Sequence, residues 1–86
     1  MKPIEIIPLA LKKIERREVP REWIEDTLRA PEQIVEGYRG RKVRQKRYAV
    51  SGKEFLLRVV VDEASDRFVV ITVYLTSQIG RYWSDK

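Results

Sequence analysis

Two stretches late in the chain place an apolar residue at every second position: Phe55, Leu57, Val59 and Val61 in the first, Val69, Ile71, Val73 and Leu75 in the second. Successive side chains of a strand point to opposite sides of a sheet, so each row commits one face of its segment to a core. The polar run from Asp62 to Asp66 between them is a hairpin corner. Upstream, residues 33–38 and 41–50 also read as extended, with Gly40 and Ser51-Gly52 at the corners. The expectation is an antiparallel meander of three to four strands over residues 33–38, 41–50, 54–62 and 67–76, with a bulge plausible between Val43 and Tyr48, whose parities differ.

Such a sheet needs a cover for its apolar rows, and the front of the chain supplies one. Pro8 is a good first-turn residue, and Ile7, Ala10, Leu11 and Ile14 follow at helical spacing, predicting a helix from Pro8 to about Arg17. Glu18-Val19 connects it to a second helix opened by Pro20, buried through Trp23, Ile24, Thr27 and Leu28, and closed by Pro31. The fold class is therefore α+β: two N-terminal helices packed on one face of an antiparallel sheet, in a single domain over residues 1–86.

Eighty-six residues leave room for one thin core, and a chain with 43% hydrophobic and 36% charged residues is a folded domain rather than a disordered one. The chain has no cysteine, which excludes disulfides, thiol catalysis and cysteine zinc sites, and no histidine, which excludes imidazole acid–base chemistry and histidine metal sites. No acidic cluster has ligand spacing, so neither a metal nor a cofactor is expected; Asp62, Glu63 and Asp66 read as a solvated hairpin tip. Ile4 to Leu11 is broken by Pro8 and followed by two lysines, so no signal peptide or membrane span is expected and the cytoplasm is the default location. A formal charge of +5 favours polyanionic partners, either RNA or an acidic protein.

The face of the sheet turned away from the helices is where function is expected. Arg58 interrupts the run from Phe55 to Val61, and a cation there must be paired, by Glu54, Asp62 or Glu36, or must reach a ligand. As a functional group its guanidinium could hold a scissile phosphate in two-pronged fashion. Alternation puts Thr72, Tyr74 and Thr76 on the same face, with Tyr74 able to carry a proton beside that phosphate. Arg41, Lys42, Arg44, Lys46 and Arg47 fall within ten residues that contain no acid. That strand reads as a phosphate track flanked by Tyr38, Tyr48 and Tyr74 as stacking surfaces, or else as a charged edge strand.

The order of short motifs is similar to that of small RelE/ParE-superfamily proteins, catalogued as a domain of unknown function and frequent in bacterial genomes, cyanobacterial ones included. The counterparts are Leu9-Ala10, Lys13, Arg17, Val19-Pro20 and Pro31-Glu32 with Ile34 in the helical half. In the sheet they are Gly40-Arg41-Lys42-Val43, Lys46, Leu57-Arg58-Val59-Val60, residues 71–76 and Arg81-Tyr82-Trp83. The resemblance implies the toxin of a type II toxin–antitoxin pair, a metal-independent endoribonuclease held by a small acidic antitoxin and acting on RNA, ribosome-bound mRNA included. The family's usual helix histidine falls on Leu9, so chemistry through lysine, arginine and tyrosine is implied instead. Arg58, Tyr74 and Lys46 are then the catalytic candidates, with Lys46 or Tyr74 moving the proton. Arg41, Lys42, Arg44, Arg47, Tyr48 and Arg81 are the RNA-binding candidates. The alternative is a non-catalytic RNA- or protein-binding homologue.

Overall fold

The computed structural model describes residues 2–85. Its elements are β1 (Ile4–Ile6), α1 (Pro8–Arg16), α2 (Arg21–Arg29), β2 (Gln33–Glu36), β3 (Lys42–Val50), β4 (Lys53–Glu63), β5 (Phe68–Thr76) and a short α3 (Ile79–Tyr82). The five strands form one sheet in the order β1-β5-β4-β3-β2, antiparallel from β2 to β5, while β1 pairs with β5 in parallel. The class is α+β, as expected. The sheet, however, is mixed and five-stranded, because Ile4 to Ile6 adds an edge strand that three residues of alternation do not announce.

Both helices lie on one face. Pro8 opens α1, and its far end is closed by Glu18 in the left-handed region at φ 54°. There the Val19 amide donates to the Ile14 carbonyl at 3.1 Å and the Glu18 amide to Glu15 at 3.2 Å. This double closure brings buried Val19 onto buried Ile14 and normally uses glycine where Glu18 stands. Leu11 is 42% exposed and so leaves the expected core stripe to Ala10 and Ile14. Helix α2 buries Ile24, Thr27 and Leu28, and Ala30 ends it before Pro31 as steric restriction ahead of proline requires. The helices close over Leu57, Val59, Val61, Phe68, Val70 and Val73.

Two expectations about side-chain direction are corrected. Strand β3 pairs with β4 without interruption from Lys42 to Val50, so the irregularity is not there. It lies between β4 and β5, where Val60 faces Thr72 but Val61 faces Val70, leaving Ile71 as the extra residue. The extra residue reverses parity upstream, so Phe68 and Val70 enter the helix-covered core in place of Val69 and Ile71. The second face is also less open than expected. Leu56 and Gln45 on it are fully buried, and the C-terminal segment crosses it, with the Ser84 amide donating to Gln33 Oε1 at 2.9 Å.

Candidate functional site

Arg58 and Tyr74 stand directly opposite each other across β4 and β5, on the face away from the helices. The Arg58 Nη1 donates to the Tyr74 hydroxyl, and its Nε donates to Gln45 Oε1 at 2.9 Å. The guanidinium also lies over the ring of Tyr82, 4.3 Å from its centre, and 5.4 Å from that of Tyr74. Among the described residues no carboxylate comes within ion-pairing distance of it. Of its expected structural partners Glu54, Asp62 and Glu36, none reaches it, and Asp62 and Glu36 hold Arg41 and Lys42 instead. Arg58 is therefore a half-buried cation held by neutral groups, a combination that leaves its charge unspent.

Gln45 fixes that arrangement and was not singled out from the sequence. It is fully buried, its Nε2 donating to Gln33 Oε1 at 2.8 Å and to the Tyr82 carbonyl at 3.2 Å, so that its oxygen is left for Arg58. A glutamine inside a run of cations looks like one more polar surface residue; only β2 and the C-terminal segment, closing over it, make it an orienting group.

Beside Arg58 and Tyr74 is a cavity of about 480 Å³ lined by the two of them with Val43, Val60, Ile71, Thr72, Arg41, Tyr38, Gly37 and Glu36. Glu36 contributes from a position whose cross-strand partner is Lys42, with which its carboxylate pairs. The aliphatic floor, the aromatic rings and the two guanidiniums suit a flat ligand carrying negative charge.

The remaining candidates are distributed differently from the expectation. Arg44, Lys46 and Tyr48 share parity with Lys42 and lie on the helix-facing side, so the structure does not bring Lys46 to Arg58. Lys46 donates to Asp26 at 2.7 Å, and Tyr48 stacks on Trp23 with ring centres 4.4 Å apart and gives its hydroxyl proton to Asp26 at 2.7 Å. Tyr48 is thus packing, not a free stacking surface. Arg41 and the cations of β3 meet acids brought from elsewhere: Arg41 with Asp62, Lys42 with Glu36, Arg44 with Glu63, Lys46 with Asp26 and Arg47 with Glu32. Arg47 also lies 4.5 Å over the Trp83 ring, and Arg81 lies 5.5 Å from that of Tyr82.

These pairings leave their mark on titration. Hydrogen bonds from Lys46 and then Tyr48 hold the Asp26 carboxyl below its ordinary value. Arg47 does the same for Glu32, and Arg44 for Glu63. Burial, reinforced by the Asp26 charge, pushes the Tyr48 phenol up to about 12. Among the described residues no three histidine, cysteine, aspartate or glutamate side chains gather as a metal site requires, and no helix is long and apolar enough to cross a membrane.

A family model described as a domain of unknown function, DUF4258, matches residues 10–75. The chain belongs to the DUF4258 family. No curated protein and no solved structure matches it. The DUF4258 match runs from within α1 to the penultimate residue of β5 and so contains Gln45, Arg58, Tyr74 and the cavity floor. Strand β1 and the C-terminal segment that covers Gln45 lie outside the matched span.

Proposed function

We propose that this DUF4258 protein is a RelE/ParE-like toxin of a type II toxin–antitoxin pair and cleaves RNA without a metal. The observation that carries the reading is Arg58: half-buried, oriented by Gln45 and Tyr74, free of any carboxylate among the described residues, and facing a cavity. In the reaction the RNA 2′-hydroxyl passes its proton to solvent water as its oxygen attacks the adjacent phosphorus, forming a cyclic phosphate and breaking the bond to the 5′-oxygen. Arg58 holds the non-bridging oxygens while charge accumulates on them. Because Arg58 donates to the Tyr74 oxygen, the phenol proton is directed elsewhere and can be given to the departing 5′-oxygen. Gln45 acts through Arg58 and is a positioning residue.

Lys46 is on the other face, and this favours a second reading, a non-catalytic homologue that binds RNA or protein through the same cavity. The formal +5 and the cations Lys12, Lys13 and Arg16 on α1, which pair with no acid among the described residues, support an acidic protein partner. Expression with and without a neighbouring acidic protein, followed by incubation of the purified chain with single-stranded RNA in EDTA, tests both readings. Growth arrest relieved by the partner and cleavage that persists in chelator are expected. Cleavage abolished by EDTA and restored by magnesium overturns the mechanism, and binding without any cleavage selects the second reading.

A further inference from the structure

We infer that Tyr38 forms a nucleobase subsite, stacking a base of single-stranded RNA next to the phosphate held at Arg58; this rests on the RNA reading above. Tyr38 is 78% exposed, the most exposed large hydrophobic side chain among the described residues, yet it is not on a loose loop. It sits in the turn between β2 and β3, which is closed by hydrogen bonds from the Gly37 amide to the Arg41 carbonyl at 2.8 Å and from the Arg41 amide to the Tyr38 carbonyl at 3.2 Å. A Cβ on Gly37 would meet the Arg41 carbonyl oxygen at 3.0 Å and Val43 Cγ2 at 3.1 Å, so the turn presses against its own strand. Arg39 accepts a left-handed backbone at φ 58° to make it. Tight closure and a strained residue hold in water a ring that gains nothing from being there, unless something covers it.

The cavity shows what that would be. Tyr38 and Arg41 stand at one end and Arg58 with Tyr74 at the other. Arg58 is opposite Gln45, and Arg41 is four residues before Gln45 in the chain, roughly 13 Å away at about 3.3 Å per residue. Between them the floor is Val43, Val60 and Ile71, apolar where a phosphate track alone would be polar. An anion site at one end, an apolar floor for sugars and an aromatic plate at the other end fit a dinucleotide step, the stacked base belonging to the nucleotide next to the held phosphate. Arg39, 5.7 Å from the Tyr38 ring centre, adds a cation beside the same ring. Stacking needs no particular base edge, so the subsite supports single-stranded binding without strict sequence choice.

The test uses the whole chain and a six-nucleotide single-stranded RNA with a 2′-O-methyl sugar at each position, which cannot be cleaved through its 2′-oxygens, followed by fluorescence anisotropy at fixed salt. Tyr38→Ala should bind about tenfold more weakly, Tyr38→Phe and Tyr38→Trp should bind as the unaltered protein does, and all should melt normally because the side chain is exposed. Oligonucleotides with one abasic site at successive positions should cancel the Tyr38→Ala loss at one position only. Unaltered protein that binds the oligonucleotide, together with Tyr38→Ala binding equally well, overturns the subsite alone. So does a Tyr38→Phe variant as weak as Tyr38→Ala, since the hydroxyl and not the ring would then be in use. Unaltered protein that ignores RNA and instead binds a phosphotyrosine peptide overturns both the subsite and the RNA reading.

Discussion

Replacing Gln45 by Leu tests whether the polar chain beneath the C-terminal segment holds Arg58 in place. Gln45 is fully buried and makes three hydrogen bonds, to Gln33, to the Tyr82 carbonyl and from Arg58. At a net value near 1 kcal/mol each, their loss costs about 3 kcal/mol, and burying an aliphatic group instead of an amide returns about 1 kcal/mol. Gln33 Oε1 keeps the Ser84 amide, but the Arg58 Nε and the Tyr82 carbonyl are stranded. The net loss of about 2 kcal/mol lowers the melting temperature of a domain this size by roughly 8–16 °C, measured by circular dichroism or calorimetry. Gln45→Glu is the sharper companion. It places a carboxylate beside Arg58, yet its oxygens then face two acceptors, Gln33 Oε1 and the Tyr82 carbonyl, so it should also be less stable than the unaltered chain at neutral pH and recover as acid protonates it. A Gln45→Leu variant melting within about 2 °C of the unaltered protein, or a Gln45→Glu variant more stable than it, would refute the account of this network.

Other perturbations separate the two faces of the sheet. Tyr74→Phe and Arg58→Lys should each reduce RNA cleavage and growth arrest at least about tenfold, roughly 1.4 kcal/mol of transition-state stabilisation, with the Phe variant still folded; full toxicity in the folded double variant would move the site elsewhere. Lys46→Ala should leave cleavage unchanged, since it lies on the helix side, while raising the midpoint of acid unfolding. The sign follows from Asp26, whose ordinary value of 3.8 is lowered chiefly by Lys46: its contribution is full above that value and lost as pH falls through the depressed one, and without Lys46 the loss begins at higher pH. At the alkaline end the Tyr48 phenol, raised from 10.0 to about 12, contributes fully below pH 10 and loses its contribution as pH climbs toward 12. A pH titration of the unaltered chain followed by near-ultraviolet absorbance and melting should show both changes together there. Glu18→Gly should stabilise the protein by about 1 kcal/mol, because only the left-handed strain at φ 54° is removed; an unchanged or lower melting temperature would mean that the Glu18 side chain has a role of its own.

The elements of this fold that the sequence determined are those whose signal is local. Pro8, Pro20 and Pro31 bound the two helices, and the corners at Gly40, Ser51-Gly52 and Asp62 to Asp66 bound three strands to within about two residues. Period-two alternation put Arg58 and Tyr74 on one face, and the pairing register sets them opposite each other. Tertiary structure alone decided the rest, because each remaining feature is a choice of partner. Three residues at Ile4 to Ile6 become a strand only where β5 offers a parallel edge, and one extra residue at Ile71 exchanges the inward row of half a strand without changing any hydrophobicity. Arg41 and the cations of β3 look like an uncompensated track because their acids, Asp26, Glu32, Glu36, Asp62 and Glu63, come from other parts of the fold. Parity then sends Lys46 and Tyr48 to the helices and leaves Arg58 with Tyr74, Gln45 and Tyr82. A charge is neutralised by whatever packs within a few ångströms of it, and that distance is set by the chain's crossings rather than by its neighbours in sequence.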